Sequence, residues 1–543
     1  MAHDSQTQDA TTPDAREADG PVGSAVADFA DAADKAAAPA SGPTFVRGSL
    51  REKGTGSSDA PARHHERTAR MGTASIPKLI VEFAVPSIVG MLVNGAYNVI
   101  DSVFLGQAMG ETGLSVATAA MPLMTVSMAL AMLIGNGGNA LAALRLGEGN
   151  RDAAERSLGN TVALGIILSF IVAVVVNIPA CMDALLHLSS ATPEIYDYTY
   201  SFIYILCMGL IFQIIGMGVN NFIRTTGAPN RALGTMLIGT ASCIALNYLF
   251  VMVLGWGVVG SALATVLGQA VSCACVLYYF IVTKNVAIKL HLHCLRLESE
   301  TVGLILSLGV ASFVMQTAMS VINFLINYLL VFYGSQSPMG AEAALASIGV
   351  VQRCAMFTVL SLIGTAVAIQ PLLGYNYGAG LIPRVRATLG YGILGATLIG
   401  VCMWVLIMVF PHQIVGIFGI RDDGLRDFTA FALDIWLFLL PIIGFQIVSS
   451  NYFQATGQPM KSVILSLTRQ VLFLIPLLIV LPIVLPQVIA GFTSLDALYV
   501  AAPASDALAT LTSAWFIAGE LRRLRRIEAG EITAKFGKSA SGR

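Results

Sequence analysis

Charge is scarce in this 543-residue chain: Asp, Glu, Lys and Arg make up 12% of it, against 55% hydrophobic residues, and the mean hydropathy is +0.74. So much apolar surface cannot be hidden in a water-soluble core, which excludes a soluble enzyme or a nucleic-acid-binding protein and places the chain in a bilayer. Several chemistries are missing as well. There is no Walker-type phosphate loop, so ATP is not the evident energy source. No cluster of His, Glu or Asp falls at membrane depth, as a membrane-embedded enzyme would require. The eight cysteines are scattered and form neither a disulfide framework nor a metal cluster. His291-Leu292-His293-Cys294 resembles a ligand set only superficially, and no metal or cofactor is expected. No apolar h-region follows Met1, so the first membrane helix is expected to direct insertion itself.

The long apolar runs dominate the rest. Residues 1–75 are rich in Ala, Asp, Ser, Thr, Gly and Pro and read as a disordered cytoplasmic tail. Beyond them, twelve stretches are long enough to cross about 30 Å at about 1.5 Å per residue. They span 79–106, 113–144, 157–180, 195–220, 232–254, 258–283, 301–333, 342–374, 387–411, 428–453, 462–485 and 496–520. Lys and Arg are biased: the connections after even-numbered stretches hold eleven, from Arg145 to Lys461, and those after odd-numbered stretches hold only Arg421 and Arg426. By the positive-inside rule the even connections and both termini are cytoplasmic.

The chain also repeats itself. Asn221-Phe222-Ile223-Arg224-Thr225-Thr226-Gly227-Ala228-Pro229 returns 230 positions later as Asn451-Tyr452-Phe453-Gln454-Ala455-Thr456-Gly457-Gln458-Pro459, and Leu146-Gly147-Glu148-Gly149 returns at 231 as Tyr377-Gly378-Ala379-Gly380. Six spans per copy is an even number, so both copies enter from the same side and a pseudo-two-fold axis lies along the membrane normal. The expected fold is therefore an all-α polytopic membrane protein of twelve transmembrane helices in two six-helix lobes. The expected lobes are 76–285 and 300–520, joined by a cytoplasmic connection at 286–299, with a basic cytoplasmic tail at 521–543.

Particular residues carry a family resemblance. Phe83-Ala84-Val85-Pro86-Ser87 through Asp101-Ser102-Val103-Phe104-Leu105-Gly106, then Gly257-Val258-Val259-Gly260-Ser261-Ala262-Leu263-Ala264-Thr265, then Gln370-Pro371-Leu372-Leu373-Gly374-Tyr375-Asn376-Tyr377-Gly378 resemble, in order and spacing, the multidrug and toxic compound extrusion (MATE) exporters, most closely their MepA-like bacterial branch. The resemblance covers residues 76–520. It implies cation-driven export of amphipathic, often cationic drugs or toxins from the bacterial cytoplasm. It also matches Asp101 to the family's first-helix Asp. In the archaeal type the fifth helix carries an Asn and, four residues on, an Asp; here those positions are Cys243 and Asn247. The loss of one carboxylate weakens a Na⁺ site. It favours H⁺ coupling through Asp101, or a weaker cation site completed by Asn220, Asn247 and Thr265.

Charge at membrane depth points the same way. Intramembrane charges are costly, so each needs a partner or a job. Asp101 has no basic partner evident within the first half, which suits a group that takes up and releases H⁺ or Na⁺. In the second half, helix depth counts place Arg353 of the eighth stretch and Asp434 of the tenth at depths that differ by only about 5 Å, within reach of an Arg side chain, an expected ion pair. Arg469 is expected to reach the inner interface along its own stem. Gln316, Asn323 and Asn327 share one face of the seventh stretch. With Asn94, Asn98, Gln352 and Gln446 they are the candidate lining of a substrate cleft. The resulting expectation is a secondary active multidrug exporter, not an enzyme, exchanging drug for H⁺ or Na⁺ by alternating access and working as a monomer with both termini cytoplasmic. The rival on the same architecture is an exporter or flippase of a lipid-linked sugar or metabolite.

Overall fold

The computed structural model describes residues 68–188, 195–283, 286–337, 340–418, 422–489 and 492–533; side chains at 97–99, 102, 111 and 114 are outside the description. Most of the expected amino-terminal tail, the last ten residues, Lys284 and Arg421 lie outside the described residues.

The described residues build a helical bundle. The first half contains α1 (Ile76–Ala119), α2 (Met121–Gly147), α3 (Arg151–Val176), the short α4 (Pro179–Leu188), α5 (Tyr196–Thr225), α6 (Pro229–Asn247) and α7 (Gly257–Ile281). The second contains α8 (Ser299–Gly334), α9 (Ala341–Gly378), α10 (Ile382–Val409), the short α11 (Pro411–Ile417), α12 (Asp423–Trp436), α13 (Leu440–Ala455), α14 (Pro459–Leu467), α15 (Ile475–Val488) and α16 (Ser494–Glu528). Among the described residues ten helices are long and apolar enough to cross a membrane, and the pair α12 and α13, bent by 43°, makes eleven. α16 is as long but more polar, carrying Asp506, Glu520 and the Arg522–Arg526 cluster, and it is not among these spans; many of its residues between Leu495 and Leu524 are buried.

The repeated motifs are helix punctuation. Gly149 and Gly380, and likewise Gly227 and Gly457, have φ of 79°, 74°, 78° and 74°, the left-handed conformation that glycine adopts without a Cβ clash. Pro229 and Pro459 then occupy the first helical position, where a missing N–H costs nothing. The repeat detected in the sequence is thus a pair of matching turns.

Three boundaries differ from the predicted stretches. α1 continues to Ala119 across a non-helical Gly110 (φ 62°, ψ −138°), and α2 begins only at Met121, ahead of Pro122. The tenth stretch breaks between Trp436 and Leu440, where Pro441 starts a new helix. The fifth and eleventh contain π-helical turns, Tyr248–Val253 and Thr468–Leu474, a local widening that hydropathy does not register.

The two halves close on each other at the face where the described chain starts and ends. Asn139 donates from Nδ2 to Gln370 Oε1 at 3.3 Å, joining repeat-related positions 231 residues apart. A side chain at Gly147 would collide with the backbone at Tyr375 and Gly378, and one at Gly378 with the backbone at Leu144, so this second repeat-related pair meets backbone to backbone. Gly137 and Gly309 allow the same approach between α2 and α8, flanked by Asn136 donating to Ser312 at 3.1 Å. Each half also holds the lead-in to the other half's first helix. Arg384 Nη2 donates to the carbonyls of Met71 (3.2 Å) and Ala74 (2.6 Å), while Asn160 donates to those of Cys294 and Arg296, both at 3.3 Å. Ile76, Leu79, Ile80 and Phe83 belong to the core of the second half, and Ile305 and Leu308 to a core of the first.

Candidate ion-coupling site

Asp101 lies nine residues before the Gly110 break, on the part of α1 that packs within the first half. Its side chain is buried, 8% exposed. Two donors converge on one oxygen: Ser261 Oγ of α7 at 2.9 Å and Asn247 Nδ2 of α6 at 3.1 Å, both to Oδ1. Asn247 is the last residue before the π-helical turn. Its amide also reaches Cys243 Sγ at 3.5 Å, one turn back. Gly257, at φ 53°, starts α7 close against Met109 of α1, four residues before Ser261. Thr265, one turn beyond Ser261 on the same face, is also buried.

The electrostatics follow from this set. Among the described residues no Lys or Arg forms an ion pair with Asp101, and both contacting side chains are neutral. Asn247 Oδ1 is buried and accepts no hydrogen bond. The pocket therefore sets a carboxylate and an orphaned amide oxygen against the Ser261 hydroxyl and the Asn247 amide as donors. A proton on the carboxylate, or a hard monovalent cation bound by these oxygens, would balance it.

Of the residues expected to complete this site, Asn220 does not belong to it. Its amide donates to Thr235 Oγ1 at 2.7 Å and to Ala232 O at 3.2 Å, and its oxygen accepts from Arg224 at 3.0 Å. Thr235 lies twelve residues before Asn247 on α6, about 18 Å along the axis, so the two asparagines serve different ends of the helix. Arg224, expected in a solvated connection, is 1% exposed and also donates to Ser87 Oγ at 3.1 Å and Asn221 Oδ1 at 2.6 Å. The four-residue spacing from Asn220 to Arg224 was the available signal. Ser261, the stronger partner of Asp101, had been read only as part of a family motif.

The second half departs further from expectation. Arg353 is exposed and forms no ion pair with Asp434, whose Oδ1 is buried without a partner. The expectation used only the rise along each helix, whereas contact also needs matching azimuth, and the α12–α13 break turns that segment. The intramembrane pair that does form joins Arg469 Nε to Asp506 Oδ1 at 2.8 Å. Arg469 thus turns inward rather than reaching for the interface. The π-helical turn rotates Arg469 toward α16, and Ser505 Oγ fixes the backbone by donating to Arg469 O at 2.8 Å.

The expected cleft residues are partly gathered. Asn323 and Asn327 are exposed, and Gln316 and Gln352 half-buried. Gln352 Nε2 meets Asn323 Oδ1 at 3.5 Å across α8 and α9. Gln446 is buried, its Oε1 without a donor, so it lies within the second half's packing rather than on an open wall. Asn94 is half-buried; the side chain of Asn98 lies outside the described residues. Among the described residues no group of three or more His, Cys, Asp or Glu could hold a metal ion.

The MatE family model matches residues 86–249 and 311–480, more than half of the chain and once in each half. The chain belongs to the MatE family. It is accordingly a multi-pass membrane transporter and not an enzyme. Multidrug export protein MepA of Staphylococcus saprophyticus is 26% identical over 411 residues, covering 75% of this chain and 88% of that protein. MepA of Staphylococcus aureus is 23% identical over 404 residues, with 74% and 87% covered. Among solved structures, MATE in the bent conformation superposes with a TM-score of 0.77 at 23% identity, over 86% of this chain and 99% of that one. The outward-facing conformation of a multidrug resistance MATE family transporter gives 0.75 at 22%, over 87% and 100%. The MatE fold of this chain is thus common to these structures.

Proposed function

We propose that this MatE-family chain exports amphipathic, often cationic small molecules across a bacterial cytoplasmic membrane, in exchange for H⁺ or Na⁺ taken up at Asp101. The observation that carries the reading is the unbalanced pocket: a buried carboxylate with two neutral donors, beside an amide oxygen with none. A charge in that position needs neutralising from outside the protein, and an ion that does so couples its own gradient to any motion of α1. The name of the MepA relatives supplies the substrate class.

On this reading residues 76–285 and 300–520 are the two lobes, and the face sealed by Asn139–Gln370 and Gly147–Gly378 is cytoplasmic. Asn323, Asn327, Gln352 and Arg353 then face a cleft open to the other side, since exposed polar groups at membrane depth need water or protein rather than lipid. Ion uptake at Asp101 releases drug outward by changing the packing of α1 against α6 and α7. Proteoliposomes loaded with a fluorescent cationic drug test this under a pH gradient alone and a Na⁺ gradient alone. Asp101→Asn should lower gradient-driven efflux to the level of empty liposomes while leaving thermal stability intact. Efflux by that variant equal to wild type would overturn the proposal.

A further inference from the structure

The second half buries a carboxylate as deeply as the first does, and treats it differently. Asp506 is 4% exposed and lies twelve residues into α16, about 18 Å along its axis. Arg469 lies ten residues from the start of α14, about 15 Å from the opposite face, so the pair sits near the middle of the membrane. Beside it is a cavity of about 60 Å³, lined by Arg469, Asp506, Ser505, Trp436, Leu440 and Ala355, room enough for a few water molecules. The cavity lies behind the α12–α13 break and reaches α9, the helix that carries Gln352 and Arg353.

No other titratable side chain lines that cavity. α9 contributes Ala355 and Val359; α12, α13 and the segment between them contribute Trp436, Leu437, Leu440 and Ile443. α8 has no acidic or basic residue between Gly309 and Phe332. Asp506 is therefore neutralised by Arg469 alone. A buried ion pair about breaks even against apolar residues of the same shape, so packing stability gives little reason to keep one.

We infer that Arg469 is a built-in counter-ion that holds Asp506 out of ion coupling, and that removing the guanidinium uncovers a second coupling carboxylate in the second half. The inference rests on the reading of Asp101 as the coupling group of the first half, because it assigns the same chemistry to a carboxylate without a basic partner. Once Arg469 is gone, Asp506 regains neutrality by taking a proton through the water-sized cavity, as Asp101 regains it by taking up H⁺ or Na⁺ in its own pocket.

The test compares wild type, Arg469→Met, the double variant Arg469→Met with Asp506→Asn, and Asp101→Asn. Infrared difference spectra of the purified full-length protein count protonated carboxyl groups without requiring transport. In proteoliposomes, the pH gradient that just balances an opposing drug gradient gives the proton-to-drug ratio. Arg469→Met should show one protonated carboxyl more than wild type and a ratio higher by one, and the double variant should return both to wild-type values. An unchanged carboxyl count in Arg469→Met would overturn the inference. So would a folded double variant alongside an Arg469→Met that does not fold, because Asp506 would then be unable to neutralise itself. Loss of the wild-type band in Asp101→Asn supports the first-half reading, and its persistence overturns that reading without touching the count for Asp506.

Discussion

Asp101 and Asp506 are two carboxylates buried at membrane depth on opposite halves of one duplicated chain. Asp101 accepts from Asn247 and Ser261 and has no cation; Asp506 accepts from Arg469. Equal burial does not mean equal chemistry, and the difference lies in the donor opposite. A neutral amide and a hydroxyl leave a net charge that something mobile must cancel, whereas a guanidinium closes the account locally.

The same contrast appears at the matching turns. In the first half the turn at Gly227 is held by Tyr279, whose hydroxyl meets Thr226 Oγ1 at 2.7 Å and whose ring lies 5.6 Å from the Arg231 guanidinium. In the second half Glu520, with no exposed side-chain surface, holds the turn at Gly457. It accepts from Gln458 at 2.7 Å, Lys461 at 2.8 Å and Arg523 at 2.8 Å. One half uses an aromatic ring under a cation and the other a buried salt-bridge network for the same mechanical task. At Asp506 and at Glu520 the second half thus pairs a buried carboxylate within the protein, whereas Arg353 and Asp434 stay apart.

The largest expected effect separates the two carboxylates by what they break. Asp506→Asn leaves the half-buried Arg469 unpaired, which costs at most about 3–5 kcal/mol; it should be seen as a large fall in melting temperature, while Asp101→Asn keeps its fold and loses efflux. If both variants melted like wild type, the contrast in pairing would have no energetic content. Next in size, Glu520→Gln strands Lys461 and Arg523, which are partly exposed, and should cost about 2 kcal/mol. Tyr279→Phe, at the equivalent turn, removes a single hydroxyl contact and should cost about 1 kcal/mol by the same thermal measurement. Equal losses would mean that the two turns are held equally well.

Ser261→Ala and Ser505→Ala sharpen the comparison at the level of single hydroxyls. Removing a hydrogen bond to a carboxylate is worth about 1.5–3 kcal/mol, so Ser261→Ala should shift the pH or Na⁺ dependence of efflux roughly tenfold in ion concentration. Ser505 donates only to the Arg469 carbonyl, and Ser505→Ala should cost about 1 kcal/mol of stability with the ion dependence unmoved. The smallest effect is expected at the cleft. Gln352→Ala breaks a 3.5 Å contact and should change stability by less than about 0.5 kcal/mol, with drug preference altered a few-fold in efflux assays.

Much of this was legible in the linear chain for definite reasons. A span needs a run of apolar residues, and a repeated Gly-x-Pro turn needs the same residue types each time, so the long apolar helices and their duplication announce themselves by composition and order, while the short α4 and α11 and the α12–α13 break do not. Asp101 was legible too, since an acid inside an apolar stretch has few bland explanations. Its partners were only half readable: Asn247 stood out as an amide, while Ser261 is one of many hydroxyls in apolar helices. The pairing of Arg353 with Asp434 failed because axial depth is a property of one helix, whereas contact depends on how two are rotated. Asp506 went unweighed, and Arg469 was assigned to the interface because a π-helical turn leaves no mark on hydropathy.

The sequence alone determined the solvent, the helical multi-pass class, the duplication and the place of Asp101 inside an apolar stretch, because each depends on residue type and spacing along one chain. Only the tertiary structure decided which carboxylate is left without a cation. That choice depends on which side chains from α6, α7, α14 and α16 arrive within about 3 Å of an oxygen, a distance set by breaks, π-helical turns and glycine contacts that the order of residues does not reveal.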